Sequence, residues 1–121
     1  MTIKHLLVLL TLSFLCAPAA ADDASIKAVE VRYDGTAWAF FVTLEHGDIG
    51  WYDYADGWRV VAEDGTEFGM RALLHPHVDE QPFTRSLANI VIPHGTARVF
   101  VEARTITDGW GSVRFAVDLL E

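Results

Sequence analysis

Apolar and polar residues alternate with a period of two along most of this chain. Ala37–Glu45 (AWAFFVTLE) is the cleanest case, with Trp38, Phe40, Val42 and Leu44 on one face. Trp58–Glu63 aligns Trp58, Val60 and Ala62, and Thr66–Leu74 aligns Phe68, Met70, Ala72 and Leu74. Ala97–Thr105 groups Val99, Val101 and Ala103, and Ser112–Leu120 groups Val113, Phe115, Val117 and Leu119. A period of two is the mark of a strand with one buried face. Ile26–Tyr33 and Thr84–Ile92 alternate more loosely and complete a set of seven strands. Asp34-Gly35, Asp64-Gly65 and Pro93-His94-Gly95 supply turn chemistry between them. No stretch carries a convincing helical period.

The N-terminus departs from this pattern. Leu6–Leu15 is a continuous apolar run behind Lys4 and His5, and Ala17-Pro18-Ala19-Ala20-Ala21 follows it. That layout predicts a secretory signal peptide over residues 1–21, cut after Ala21, with a β-domain over 22–121. The run is too short to span a bilayer, so no membrane insertion is expected after cleavage. Cys16 is a poor lipidation site, because Ser13-Phe14-Leu15 lacks the small residues expected before a lipidated cysteine. The expected location is periplasmic or secreted.

Composition narrows the partners. Cys16 is the sole cysteine, so the exported domain must rest on its core rather than on disulfides. Losing Lys4 takes the net charge from −8 to −9, and Lys27 is then the only lysine. A nucleic acid or an anionic membrane surface needs basic patches, which this composition does not supply. A cation or a basic partner is compatible with it.

Seven short strands in a chain of this length point to an all-β fold, a seven-stranded antiparallel immunoglobulin-like sandwich. The segment ARVFVEARTITDGWGSVRFAV from Ala97 resembles the last two strands of a fibronectin type III domain, with Val99, Val101 and Ala103 at its inward positions. Trp38 suits that family's tryptophan on the second strand. The corner tyrosine of that family would fall near Ala97 and is missing. Two longer strings, Gly50–Trp58 (GWYDYADGW) and Leu74–Leu87 (LHPHVDEQPFTRSL), resemble a group of small exported bacterial proteins of unassigned function. That resemblance implies membership of the group and carries no activity with it.

Three features carry candidate chemistry. His75 and His77 flank Pro76, which disfavours helix at His75 and holds the chain extended. Residues i and i+2 of an extended chain point to one side, so the two imidazoles can close on one ion. Copper(II) or zinc would suit imidazole plus carboxylate, with His46 as the third ligand and Asp79, Glu80 or Asp48 behind it. The competing reading makes the histidines part of a polar corner. Arg85 is either a receptor for a carboxylate or phosphate, or the partner of Glu80, Asp79 or Glu102. The structural role is favoured for Arg85, because half-buried acids need such a partner. Trp51, Tyr54 and Trp110 lie in acid-rich loops and could bind a protein or a glycan; Trp58 begins a strand and belongs to the core.

Catalysis finds little support. The exported domain lacks a cysteine nucleophile, a G-x-S-x-G elbow and a phosphate-cradling glycine loop. The expected function is a non-catalytic exported interaction module without a cofactor; the alternative is a copper- or zinc-binding protein built on His75, His77 and His46. Counting chain reversals puts residues 46–57, 75–83 and 106–111 at one end of the sandwich. His94 falls at the other.

Overall fold

The computed structural model describes residues 22–120, all of them in strands, turns and loops and none in a helix. The expected signal peptide, with Cys16, lies outside the described residues. Eight strands follow in order: β1 (Ser25–Tyr33), β2 (Trp38–Glu45), β3 (Ala55–Val61), β4 (Glu67–Ala72), β5 (Phe83–Ile90), β6 (Arg98–Thr105), β7 (Gly109–Trp110) and β8 (Phe115–Asp118). They build two antiparallel sheets. One has the order β1-β2-β5; the other runs β4-β3-β6, with β7 and β8 both paired to β6.

The alternation of β2 is realised in full. Trp38, Phe40, Val42 and Leu44 are buried and face Trp58, Val60, Val99 and Val101 from the opposite sheet in one core. Phe83, Ile90, Val117 and Leu119 join them. Each large apolar side chain taken from water there contributes about 1.5–3 kcal/mol. That core holds the domain together without a disulfide.

Turn residues set the strand ends. Asp34 Oδ1 accepts from the backbone N–H groups of Thr36 and Ala37, both at 2.8 Å, and Gly35 takes φ +94°. Gly65 takes φ +91°, while Asp64 accepts from Thr66 N. Both glycines sit where a side chain would be strained. Asn89, at φ +60°, marks the register shift where Trp38 pairs with Ile90 but Phe40 with Leu87. Asparagine tolerates that left-handed conformation better than most residues.

Two expectations fail, one through a bulge and one through a break in a strand. Phe68, Met70, Ala72 and Leu74 do not share a buried face. Val60 pairs with Gly69 but Val61 with Glu67, so Phe68 is an extra residue in β4. It packs against the core, and everything after it is out of phase: Met70, Ala72 and Leu74 are exposed, and Leu73 is buried. A one-residue slip moves every following side chain to the other face. The last expected strand is likewise broken in two. β7 pairs at Arg104 and Thr105, whereas β8 resumes pairing only at Val101, leaving Val113 exposed between them.

The outer face of the larger sheet carries a charge ladder. Glu102 is buried and accepts from Arg59 Nε at 2.9 Å and from Arg114 Nε at 3.0 Å. Arg104 Nε donates to Asp56 Oδ1 at 2.9 Å. Burial works against ionising Glu102, but the bonds from Arg114 and Arg59 outweigh it and hold its carboxyl below the ordinary glutamate range. Glu102 therefore adds stability that is full above the unfolded pKa and is lost as pH falls through the lower folded value. Glu102→Gln should cost roughly 1–3 kcal/mol at neutral pH in urea unfolding. The gap to wild type should close as pH falls through the acid range below the ordinary glutamate pKa. A gap that stays constant with pH would contradict this account.

Candidate binding site at the loop end

Strand register fixes which loops meet. At one end β2 stops at Glu45, opposite the start of β1, and Leu44 pairs with Phe83 at the start of β5. On the other sheet Ala55 pairs with Thr105, and Gly57 with Ala72. The loops 46–54, 73–82 and 106–108 and the segment 22–24 therefore gather at this end. The turns at Asp34-Gly35 and Asp64-Gly65 lie at the opposite end, as does the loop of His94.

Asp48 ties this end together. Its side chain is fully buried. Oδ1 accepts from His46 Nδ1 at 2.6 Å and from Ala55 N at 3.0 Å, and Oδ2 accepts from His77 N at 2.8 Å. Gln81 adds a second brace: its Oε1 accepts from His46 N, and its Nε2 donates to the His77 carbonyl. The third loop is joined by Ile106 N donating to the Tyr54 carbonyl, and by Thr107 Oγ1 donating to the Tyr52 carbonyl and to Asp53 Oδ1.

The two buried histidines have opposite surroundings. The side chain of His46 is fully buried; with Nδ1 donating to Asp48, its Nε2 points toward Asp22 Oδ2 at 3.4 Å and Asp53 Oδ1 at 3.8 Å. Burial disfavours its charged form, but the Asp48 bond and the charges of Asp22 and Asp48 prevail and raise its pKa above the ordinary value. His77 stacks on Phe83, with ring centroids 4.0 Å apart and planes 9° from parallel. Its Nε2 lies 3.0 Å from Arg85 Nη2. A guanidinium only donates, so Nε2 accepts and Nδ1 carries the proton. Burial first, then the Arg85 charge, lowers the His77 pKa.

The residues singled out in the sequence are distributed as follows. Trp58 is core. His75 is exposed, its ring centroid 4.5 Å from that of His77. His46 shares their end of the fold but not their cluster. Among the described residues, the group of three His, Cys, Asp or Glu side chains with ligand atoms within 4.8 Å of one another is Asp22, His46 and Asp53. Arg85 takes Glu80 as its acid at 3.3 Å and also donates to the Thr84 carbonyl; Glu102 belongs to Arg59 and Arg114 instead. Trp51 meets Tyr54 edge-on at 5.9 Å. Trp110 turns away from them onto the outer face of the larger sheet, its ring 3.9 Å from the Arg59 guanidinium carbon.

The chain is similar to a protein of Halomicrobium mukohataei described as a "Putative lipoprotein": 44% of residues are identical over 84 residues, 69% of this chain. The chain spans 41% of that protein's length. No family model matches the chain. No solved structure matches it either.

Asp22, Asp48 and Gln81 were not singled out from the sequence as the residues that organise this end. The legible signal was His46-Gly47-Asp48, where a strong strand ends in a histidine with an acid two residues on. Asp48→Asn tests the brace. The carboxamide presents an N–H to a donor, leaving at least one buried N–H unsatisfied, and should destabilise the fold by roughly 1–3 kcal/mol in urea unfolding. A loss below about 0.5 kcal/mol, the range of an ordinary surface change, would remove Asp48 from this role.

Proposed function

We propose that this chain is an exported, non-catalytic binding module that presents a rigid loop end to a protein or glycan surface. One observation carries the reading. Of the eleven large apolar side chains exposed among the described residues, six sit on the three loops of this end: Ile49, Trp51, Tyr52, Leu74, Val78 and Ile106. Trp51, Tyr52 and Leu74 are 68%, 75% and 76% exposed. Scattered apolar residues need no explanation, but a concentration of them on loops of one end marks an interaction surface. The hydrogen bonds of Asp48, Gln81 and Thr107 hold the backbone beneath these side chains. A preordered surface loses less entropy on binding than a mobile one.

Beside the apolar tips lies a small cavity of about 100 Å³ lined by Arg71, Leu73, Leu74, His75, His77 and Arg85. Arg71 Nε is buried there without a hydrogen-bond partner. This supports an anionic group, such as a carboxylate of the partner, as the polar anchor of the same surface. Trp51, Tyr54 and Arg85 remain the proposed contact residues, and Trp110 is an outlying one.

The strand order supports an immunoglobulin-like reading of the fold. The fourth strand lies on the sheet of the third, which differs from the constant-type arrangement and accords with the fibronectin type III resemblance. Export is supported by the N-terminal pattern and by the relative's lipoprotein description. No helix among the described residues is long and apolar enough to cross a membrane. Cleavage after Ala21 is favoured over lipid attachment at Cys16, and N-terminal mass spectrometry of the exported protein distinguishes the two.

Affinity capture with photo-crosslinking from envelope and culture fractions, together with a glycan array, tests the binding reading. Trp51→Ser/Tyr52→Ser should weaken the wild-type interaction by about 2 kcal/mol or more while leaving unfolding unchanged. Capture by the variant at wild-type affinity, or no ligand bound by the wild type above background, would overturn it.

A further inference from the structure

His46 presents a chemical problem that the binding surface does not explain. Its Nδ1–H is committed to Asp48 at 2.6 Å, which directs Nε2 the other way. Nε2 is buried and has no hydrogen-bond partner, and it faces Asp22 Oδ2 and Asp53 Oδ1. In the neutral ring that nitrogen is a lone pair aimed at two oxygens that also carry only lone pairs. Buried polar atoms are normally satisfied, so a donor or a cation is called for between these three atoms. A proton on Nε2 does the task poorly, because 3.4 and 3.8 Å exceed ordinary N–H···O lengths. Tetrahedral coordination at ~2.0–2.1 Å places neighbouring ligand atoms ~3.4 Å apart. The observed spacings from His46 Nε2, 3.4 Å to Asp22 and 3.8 Å to Asp53, suit such an ion.

We propose that Asp22, His46 and Asp53 form a divalent transition-metal site, for zinc(II) or copper(II), with His46 Nε2, Asp22 Oδ2 and Asp53 Oδ1 as ligands. One imidazole with two carboxylates is a donor set that both ions accept. Asp48 is the orienting residue: a histidine ligand usually gives its other ring N–H to a carboxylate, which fixes the tautomer and makes the free nitrogen a better donor. The Asp48 carboxylate is itself held by Ala55 N and His77 N. Thr107 Oγ1 donates to Asp53 Oδ1 at 3.2 Å and restrains the second ligand. The Asp22 side chain is 69% exposed, so the ion enters from solvent on that side. Its fourth position is open to water or to a donor from a partner. The site does not depend on the apolar tips and stands whether or not they bind anything.

The protein is titrated separately with Zn²⁺ alone and with Cu²⁺ alone by calorimetry, with ¹⁵N NMR of the imidazoles and thermal unfolding alongside. Wild type should take up one ion per chain, shift the His46 Nε2 resonance and melt at a higher temperature with metal present. Asp22→Asn and Asp53→Asn keep the side-chain shape on partly exposed groups, so they should fold. Each should weaken binding at least about tenfold, the scale seen even for removing an orienting partner. His75→Ala, on an exposed ring outside this group of three, should bind as wild type does. Absence of saturable uptake of either ion would overturn the proposal. So would wild-type affinity in Asp22→Asn/Asp53→Asn, or an unmoved His46 resonance on saturation.

Discussion

The carboxylate of Asp48 is the constraint on which the loop end depends. It is a buried anion surrounded by N–H donors from three places: the His46 ring after β2, the Ala55 backbone at the start of β3, and the His77 backbone in the loop before β5. A carboxylate deprived of water costs several kcal/mol unless its lone pairs are filled. Here both oxygens are engaged, and each charge-assisted bond contributes about 1.5–3 kcal/mol. One side chain thus joins the two sheets where no ladder hydrogen bond can, because β2 and β5 lie in one sheet and β3 in the other. Gln81, in the loop before β5, adds a second link between the segment after β2 and the His77 loop.

This brace explains how apolar side chains can stand exposed on loops without collapsing onto the core. Loop backbones hold their shape when their polar groups have fixed partners. The tip between His46 and Tyr54 closes on itself through Ile49 N to the Asp53 carbonyl and Asp53 N to the Gly50 carbonyl, and then leans on Thr107. Trp51 and Tyr52 project from a closed turn rather than from a free strand. The outer face of the larger sheet follows another logic. There Arg59, Glu102, Arg104, Asp56 and Arg114 satisfy one another, and Trp110 lies beneath Arg59.

Much of the fold was legible because β2 alternates without interruption, because Val99, Val101 and Ala103 of β6 share a face, and because turn residues are unambiguous at Asp34-Gly35 and Asp64-Gly65. The failures lie where extra residues interrupt a ladder, one at Phe68 in β4 and two between Trp110 and Phe115. Nothing in Glu67-Phe68-Gly69 announces that Phe68 is supernumerary, since the apolar pattern continues smoothly through it. Register is a property of two strands, and only the pairing of Val60 with Gly69 and Val61 with Glu67 exposes the bulge. The loop end was legible as a neighbourhood, because reversals of direction decide it. Its internal pairing was not. Asp48 reads as a ligand in reserve behind His46 rather than as a brace, and Asp22, next to the N-terminal apolar run, draws no notice until the fold lays it beside His46.

The His-Pro-His spacing shows how proximity in sequence leaves the surroundings of each ring undetermined. His77 is oriented by Phe83 beneath it and by a guanidinium against its Nε2. A metal ion at that nitrogen would have to displace Arg85 or share its position. Two unit charges of one sign 4 Å apart repel by about 4 kcal/mol at an effective dielectric of 20. His46, across Asp48 from it, faces Asp22 and Asp53 and has no positive neighbour in this set. Both histidines donate to the same carboxylate, one through its ring and the other through its backbone, and what lies beyond each ring has opposite sign. The end of the domain is therefore divided: Arg71, Arg85 and His77 form a side suited to an anion, and His46 with its two acids a side suited to a cation. Asp48 belongs to both sides, and removing its charge would loosen the two together.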